Sequence, residues 1–151
     1  MYPVRVSAKA LVYKGDNILC SHYRVKDEEY FIFPGGGLNG EETAEEAVVR
    51  EVLEETGYGV EVRELAFVRE FIPGRLGYAR EFDKGFHQIE LFFICTLVDE
   101  NPVPPSEHDK NQVGCVWLPL TELTEKEVYP TCMQRAVQAR QFPKRYIGNQ
   151  L

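Results

Sequence analysis

The stretch GGGLNGEETAEEAVVREVLEETGY, residues 35–58, decides how the rest of the chain is read. Its three leading glycines, with Pro34 before them and Gly40 after, exclude regular structure at 34–40 and let bare backbone come close to a ligand. Thr43-Ala44-Glu45-Glu46 has the form of a capping box, in which the Thr hydroxyl and the Glu46 carboxylate satisfy free backbone N–H groups reciprocally. Gly57 suits the left-handed position just past a last helical turn. Between these stops lie Ala, Val, Leu, Glu and Arg without a proline, so a helix is predicted there.

The charge on that helix is unusual. Residues 41–55 hold Glu41, Glu42, Glu45, Glu46, Glu51, Glu54 and Glu55 against one base, Arg50, nearly the whole of the chain's net charge of −7. At about 100° per residue, Glu51, Glu54 and Glu55 fall within an arc of roughly 100°. Glu51 and Glu55 overlap the sector of Ala44, Ala47 and Val48, the small apolar residues expected to face the body. Carboxylates gathered in this way repel and resist ionisation unless something compensates them. Arg50 is the only nearby base and cannot neutralise all three. A hard divalent cation can, and Mg²⁺ binds a few carboxylates while keeping waters and substrate phosphates. A free carbonyl of the glycine run could join such a site, and N–H groups near the helix start could meet an anion. The plain alternative is a solvated acidic face. The glycine run is neither a P-loop nor a Rossmann fingerprint.

Outward from this stretch, strands and turns alternate. VRVSAKALVY (4–13) and ILCSHYR (18–24) read as strands around a turn at 14–17, followed by a polar loop at 25–29 and a short apolar YFIF at 30–33. After the helix, VEVRELAFVREFI (60–72) reads as one or two strands, and 73–85 is a loop long enough to be functional. HQIELFFICTLV (87–98) reads as a central strand, the proline-rich 99–112 as irregular, and VGCVWL (113–118) as a further strand. One or two short helices fit between 119 and 142, broken near Pro130. Such interleaving predicts an α/β or α+β sandwich.

The 151 residues, 44% of them hydrophobic, predict one globular domain over 1–151. Aromatic residues at 12% and charged residues at 27% argue against a disordered chain. No apolar run approaches the roughly 20 residues of a membrane span, and Arg5 and Lys9 interrupt what a signal peptide would need. The acidic balance, without a Lys/Arg cluster, argues against binding a nucleic acid polymer. Cys20, Cys95, Cys115 and Cys132 form no C-x-x-C pair and read as reduced, mostly buried thiols of a cytoplasmic protein.

Gly36, five residues, Glu42, seven residues, then Arg50-Glu51-Val52-Leu53-Glu54-Glu55-Thr56-Gly57 resembles the Nudix box, G-x5-E-x7-R-E-U-x-E-E-x-G-U with U a bulky aliphatic. All seven fixed positions match, and the last aliphatic position is Tyr58. The resemblance implies a Nudix-type α/β/α sandwich with a mixed β-sheet. It also implies hydrolysis of a diphosphate linkage in a nucleoside diphosphate derivative, with Mg²⁺ or Mn²⁺ required. By position, Glu51, Glu54 and Glu55 look like metal ligands, with the Gly36 carbonyl in addition. Arg50 would hold a glutamate of this group by a charge-assisted hydrogen bond, and Glu42 would have a more structural role. Glu54 or Glu55 is the implied base for a water, although some family members take it from a distant loop. Glu107 and Glu90 are the candidates of that kind.

The substrate is less legible. Arg5, Arg24 and Arg80 are candidates to meet phosphate, and Tyr23, Phe33 or Tyr78 to stack on a base. His22, His87 and His108 are isolated, and a hydrogen-bonded structural role suits His87. In the family, a proline about sixteen residues beyond the box is associated with ADP-ribose hydrolysis; Pro73 lies sixteen beyond Gly57 and fifteen beyond Tyr58. Nucleoside triphosphates, ADP-ribose and other NDP-sugars stay open, as does a homodimer. A nucleotide-sensing domain that binds without hydrolysing is the rival reading, and the complete set of glutamates counts against it.

Overall fold

The acidic helix starts and stops at its caps. In the computed structural model, which describes residues 3–77 and 85–151, helix α1 spans Ala44–Thr56. The Glu46 N–H donates to Thr43 Oγ1 at 3.1 Å, and the Thr43 N–H donates back to the Glu46 carboxylate at 3.3 Å. Gly57 ends the helix with φ 79°, its N–H closing on the Leu53 carbonyl. Ala47, Val48 and Val52 are buried.

The described strands are β1 (Arg5–Lys14), β2 (Asn17–Val25), β3 (Glu28–Ile32), β4 (Gly35–Gly37), β5 (Val60–Phe71), β6 (Gln88–Leu97), β7 (Gln112–Pro119), β8 (Val128–Tyr129) and β9 (Tyr146–Asn149). A second helix, α2, covers Gln134–Ala139. The sheet runs β8-β3-β2-β1-β6-β5-β9, with β4 added on β1 and β7 on β2. β1 pairs parallel to β6, and β6 antiparallel to β5, so the sheet is mixed and its apolar β6 is central.

Side-chain alternation along β1 sorts the core into two layers. Ala8, Ala10 and Val12 pack with Ala47, Val48 and Val52 of α1. Leu11 faces the other way, among Phe33, Phe67, Phe92 and Val137 of α2. Helices on both faces of a mixed sheet give the α/β/α sandwich that the resemblance implies.

The glycine run departs from expectation. Gly35–Gly37 is a strand, paired antiparallel to β1 with Ser7 opposite Gly37, Ala8 opposite Gly36 and Lys9 opposite Gly35. The absence of side chains permits this close pairing: a Cβ on Gly35 would lie 2.1 Å from the Ala8 carbonyl oxygen. Residues 60–71 form one strand, with register shifts against β6. Between 119 and 142 the one α-helix begins after Pro130, and β8 and β9 are short strands that the sequence pattern did not reveal. All four cysteines are free; Cys20 and Cys95 are buried, and Cys132 is exposed. No helix of the described residues is long and apolar enough to cross a membrane.

The proline-rich segment 99–112 is irregular, as expected, but its backbone is fastened to the end of α1. The Val103 N–H donates to the Gly57 carbonyl, and the N–H groups of Ser106 and Glu107 both donate to the Glu54 carbonyl, all at 2.9–3.0 Å. A Cβ on Gly57 would lie 1.8 Å from the Val103 carbonyl oxygen. Gly57→Ala therefore combines left-handed strain with a backbone clash and should cost roughly 2–4 kcal/mol. Thr43→Ala, a lost cap, should cost about 1 kcal/mol. Urea unfolding measures both, and equal losses would contradict this account of the helix end.

Candidate active site

Helix α1 carries its glutamates to the glycine strand β4. A Cβ on Gly36 would stand 2.6–2.7 Å from the carboxylate atoms of Glu51, so only glycine leaves room for that acid. Glu55 is buried, and its Oε2 accepts the Gly35 N–H at 3.3 Å and the Ser21 hydroxyl at 3.4 Å. Glu51 and Glu54 are joined by Arg50, whose Nη1 donates to both, at 2.9 and 3.1 Å. Its Nε and Nη2 form a two-pronged bridge to Glu42 at 2.7 and 2.9 Å, and Nη2 also reaches the Gly37 carbonyl at 3.1 Å. Arg50 thus organises three glutamates and pins the helix to β4, a larger role than the one implied by the resemblance.

Two carboxyls respond strongly to these surroundings. Hydrogen bonds from Arg50, then from the Asn39 N–H, hold Glu42 down at about 2. Burial pushes Glu55 up to about 7, opposed by Lys9 and the Gly35 N–H and reinforced by Asp109 and Glu51. Lys9 corrects the expectation that Arg50 is the only base near these acids: sheet pairing sets it beside Gly35, far from α1 in sequence. Asp109, whose carboxylate accepts the Tyr23 hydroxyl at 2.9 Å, comes from the proline-rich segment. No local pattern marks either residue.

The remaining candidates divide. Glu90 is buried, with Arg69 Nε at 2.5 Å and Gln88 Nε2 at 3.1 Å on its two oxygens, so it is a paired carboxylate. Glu107 is exposed, and its backbone reaches the turn that carries Glu54. Tyr23 is buried against Tyr30 and supports Asp109 rather than offering an open ring. Arg24 is exposed, 3.7 Å from Glu29. Arg5 lies near Gly37, its guanidinium over the Phe86 ring. His22 and His87 are hydrogen-bonded to Glu29 and Glu70, and His108 is exposed. Tyr78 and Arg80 lie outside the described residues.

On the α2 side of β1 opens a cavity of about 900 Å³, lined by Lys9, Phe33, Phe71, Phe86 and Tyr129 and by the Arg69–Glu90 pair. Lys9 lies opposite Gly35 and Phe33 two residues before it, so the cavity reaches the start of the strand whose first N–H holds Glu55. Among the described residues, no three His, Cys, Asp or Glu side chains are already closed into a cage for a metal ion. Arg50 instead holds Glu51 and Glu54. The donor set fits a hard divalent cation all the same. When ionised, Glu42, Glu51, Glu54 and Glu55 outnumber Arg50 and Lys9, and every donor is an oxygen.

The family model for the NUDIX domain matches residues 3–138. The chain belongs to the NUDIX domain family. It is a Nudix hydrolase, an enzyme of the class that acts on diphosphate bonds. The RNA pyrophosphohydrolase of Teredinibacter turnerae is 27% identical to it over 126 residues, covering 76% of this chain and 74% of that protein. A NUDIX hydrolase from Nitrosomonas europaea shares the fold with a TM-score of 0.73 at 20% identity, over 95% of this chain and 93% of that one. An ADP-ribose pyrophosphatase from Streptococcus suis does so with a TM-score of 0.66 at 20% identity, over 95% and 99%.

Glu55 makes the stability of this Nudix domain pH-dependent in the absence of metal. Its folded carboxyl titrates near 7, above the ordinary carboxylate range. Its contribution to folding is therefore complete below the unfolded value and is lost as pH rises through about 7. Compared with Glu55→Gln in chelator, the wild-type chain should lose roughly 2–3 kcal/mol between about pH 5 and 8. Urea unfolding across that range checks it, and parallel curves would refute the assignment.

Proposed function

We propose that this chain hydrolyses a diphosphate linkage in a small nucleoside diphosphate derivative, with residues 1–151 acting as one catalytic unit. The observation that carries the reading is that Glu51 and Glu55 lie against the glycine strand, with Glu54 tied to Glu51 through Arg50, near an aromatic-lined cavity. The cavity has the volume and the ring faces for a nucleoside. The diphosphate would then lie at the edge of β4.

The residues that would hold Mg²⁺, or alternatively Mn²⁺, are Glu51, Glu54 and Glu55 with the carbonyl of Gly36. When bound, such an ion offsets phosphate charge and acidifies a water. The chain's own groups do the rest. Arg50 orients Glu51 and Glu54. Glu54 or Glu55 takes the proton from the attacking water, with Glu107 a further candidate because its backbone sits on the same turn. Glu90, held by Arg69 and Gln88, is unsuited to that task. The four free thiols suit a reducing cytoplasm.

For the substrate, ADP-ribose, other NDP-sugars and nucleoside triphosphates lead. The name of the Streptococcus suis neighbour supports the first, and that of the Teredinibacter turnerae relative adds RNA. A panel of these compounds with Mg²⁺ and Mn²⁺, read by released phosphate or pyrophosphate, separates them. Binding without turnover would point instead to a sensing domain. Glu54→Gln should keep the wild-type melting temperature without metal and lose about 10²-fold or more in kcat, at least ~2.7 kcal/mol of transition-state stabilisation. Unchanged turnover in that variant would sink the assignment.

A further inference from the structure

We propose that Lys9 is a phosphate-holding residue of this enzyme, its ammonium gripping a non-bridging oxygen of the diphosphate where the cavity reaches the glycine strand. The proposal rests on the diphosphate-hydrolase reading above and deepens it, by naming the side chain that ties the nucleoside end of the substrate to its reacting end.

Placement comes first. Lys9 lies opposite Gly35 in the β1–β4 pairing, and the Gly35 N–H donates to Glu55. Alternation along β1 sends Ala8 and Ala10 towards α1, whereas Lys9 lines the cavity on the other face. One strand position therefore borders the cavity by its side chain and the glycine strand by its backbone.

Partnership comes second. Of the other cations around the site, Arg50 is engaged by three glutamates and the Gly37 carbonyl, Arg69 by Glu90 and the Gln150 carbonyl, and exposed Arg5 by the face of the Phe86 ring. The side-chain ammonium of half-buried Lys9 has neither a carboxylate oxygen within 4.0 Å nor a hydrogen bond among the described residues. A cation partly withdrawn from water without a close partner costs desolvation energy that an arriving anion recovers. Glu55 feels Lys9 only through space. Two residues along the same strand face, Ser7 Oγ is the one buried side-chain polar atom of the described residues without a hydrogen-bond partner. This face of β1 is thus polar and incompletely satisfied by the protein itself, as expected where a ligand or its ordered water completes the bonding.

Chemistry comes third. A diphosphate approaching several glutamates meets like charge. An ammonium is a compact point charge with three donors and no fixed plane, suited to an oxygen whose direction shifts as the phosphorus reacts.

The test uses the substrate selected by the panel and the full chain. Lys9→Met should raise KM about tenfold or more while kcat changes less than about threefold, and Lys9→Arg should recover most of the loss. A loss confined to kcat, or an unchanged KM, overturns the proposal. A second arm titrates methylenediphosphonate, a base-free diphosphate analogue that cannot be hydrolysed, into each variant by calorimetry with saturating Mg²⁺. Wild type and Lys9→Arg should bind, and Lys9→Met at least about tenfold more weakly. Equal affinities, or no binding to the wild type, overturn it. If the wild type turns over none of the panel, the hydrolase reading fails while calorimetry still decides Lys9.

Discussion

Glu42, just before α1, and Glu51, Glu54 and Glu55, from its second half, crowd together, and the guanidinium of Arg50 is the group that makes most of that crowding tolerable. Its five N–H donors are distributed over three of the carboxylates and the carbonyl of Gly37. Coulomb repulsion among the acids would otherwise push them towards water or towards protonation. The same side chain joins helix to strand, because one of its donors crosses to β4. Electrostatic relief and the attachment of α1 to the sheet are therefore one interaction. Glu55, which Arg50 does not reach, shows the alternative outcome: a buried carboxyl pushed up in pKa, with a peptide N–H and a serine hydroxyl as partners.

Glycines set the distances within which that arrangement works. Gly35 lets β4 press against Ala8, Gly36 leaves the space taken by the Glu51 carboxylate, and Gly57 lets the chain turn beneath Val103. Each position has a different steric reason. The conformational freedom lost on ordering three consecutive glycines is a real cost, offset by strand pairing and by the approach of acid to backbone. A strand of almost no width allows charged side chains from the helix to lie directly against the peptide.

Legibility followed the range of the interactions. The helix could be read because capping box, apolar stripe and terminal glycine all act within a few residues, and the box motif lies on the same continuous stretch. The glycine strand was misread because composition speaks against a strand, whereas pairing with β1 is a tertiary matter that overrides propensity. Lys9 and Asp109 were invisible as site residues because they arrive by sheet register and by the fold of an irregular segment. Glu90 is instructive in the same way. An acid in IELFFI signals a partner, but its identity as Arg69 follows only from the β5–β6 register, in which the two face each other.

The proline-rich segment bears on how the molecule responds to force and contact. Its N–H groups at Ser106 and Glu107 serve as the missing next turn of α1, taking up the Glu54 carbonyl that the helix itself leaves open. Lifting residues 103–107 would leave the Glu54 and Gly57 carbonyls at the helix end without these partners. The irregular segment is thus a handle on the helix end, reachable from the surface.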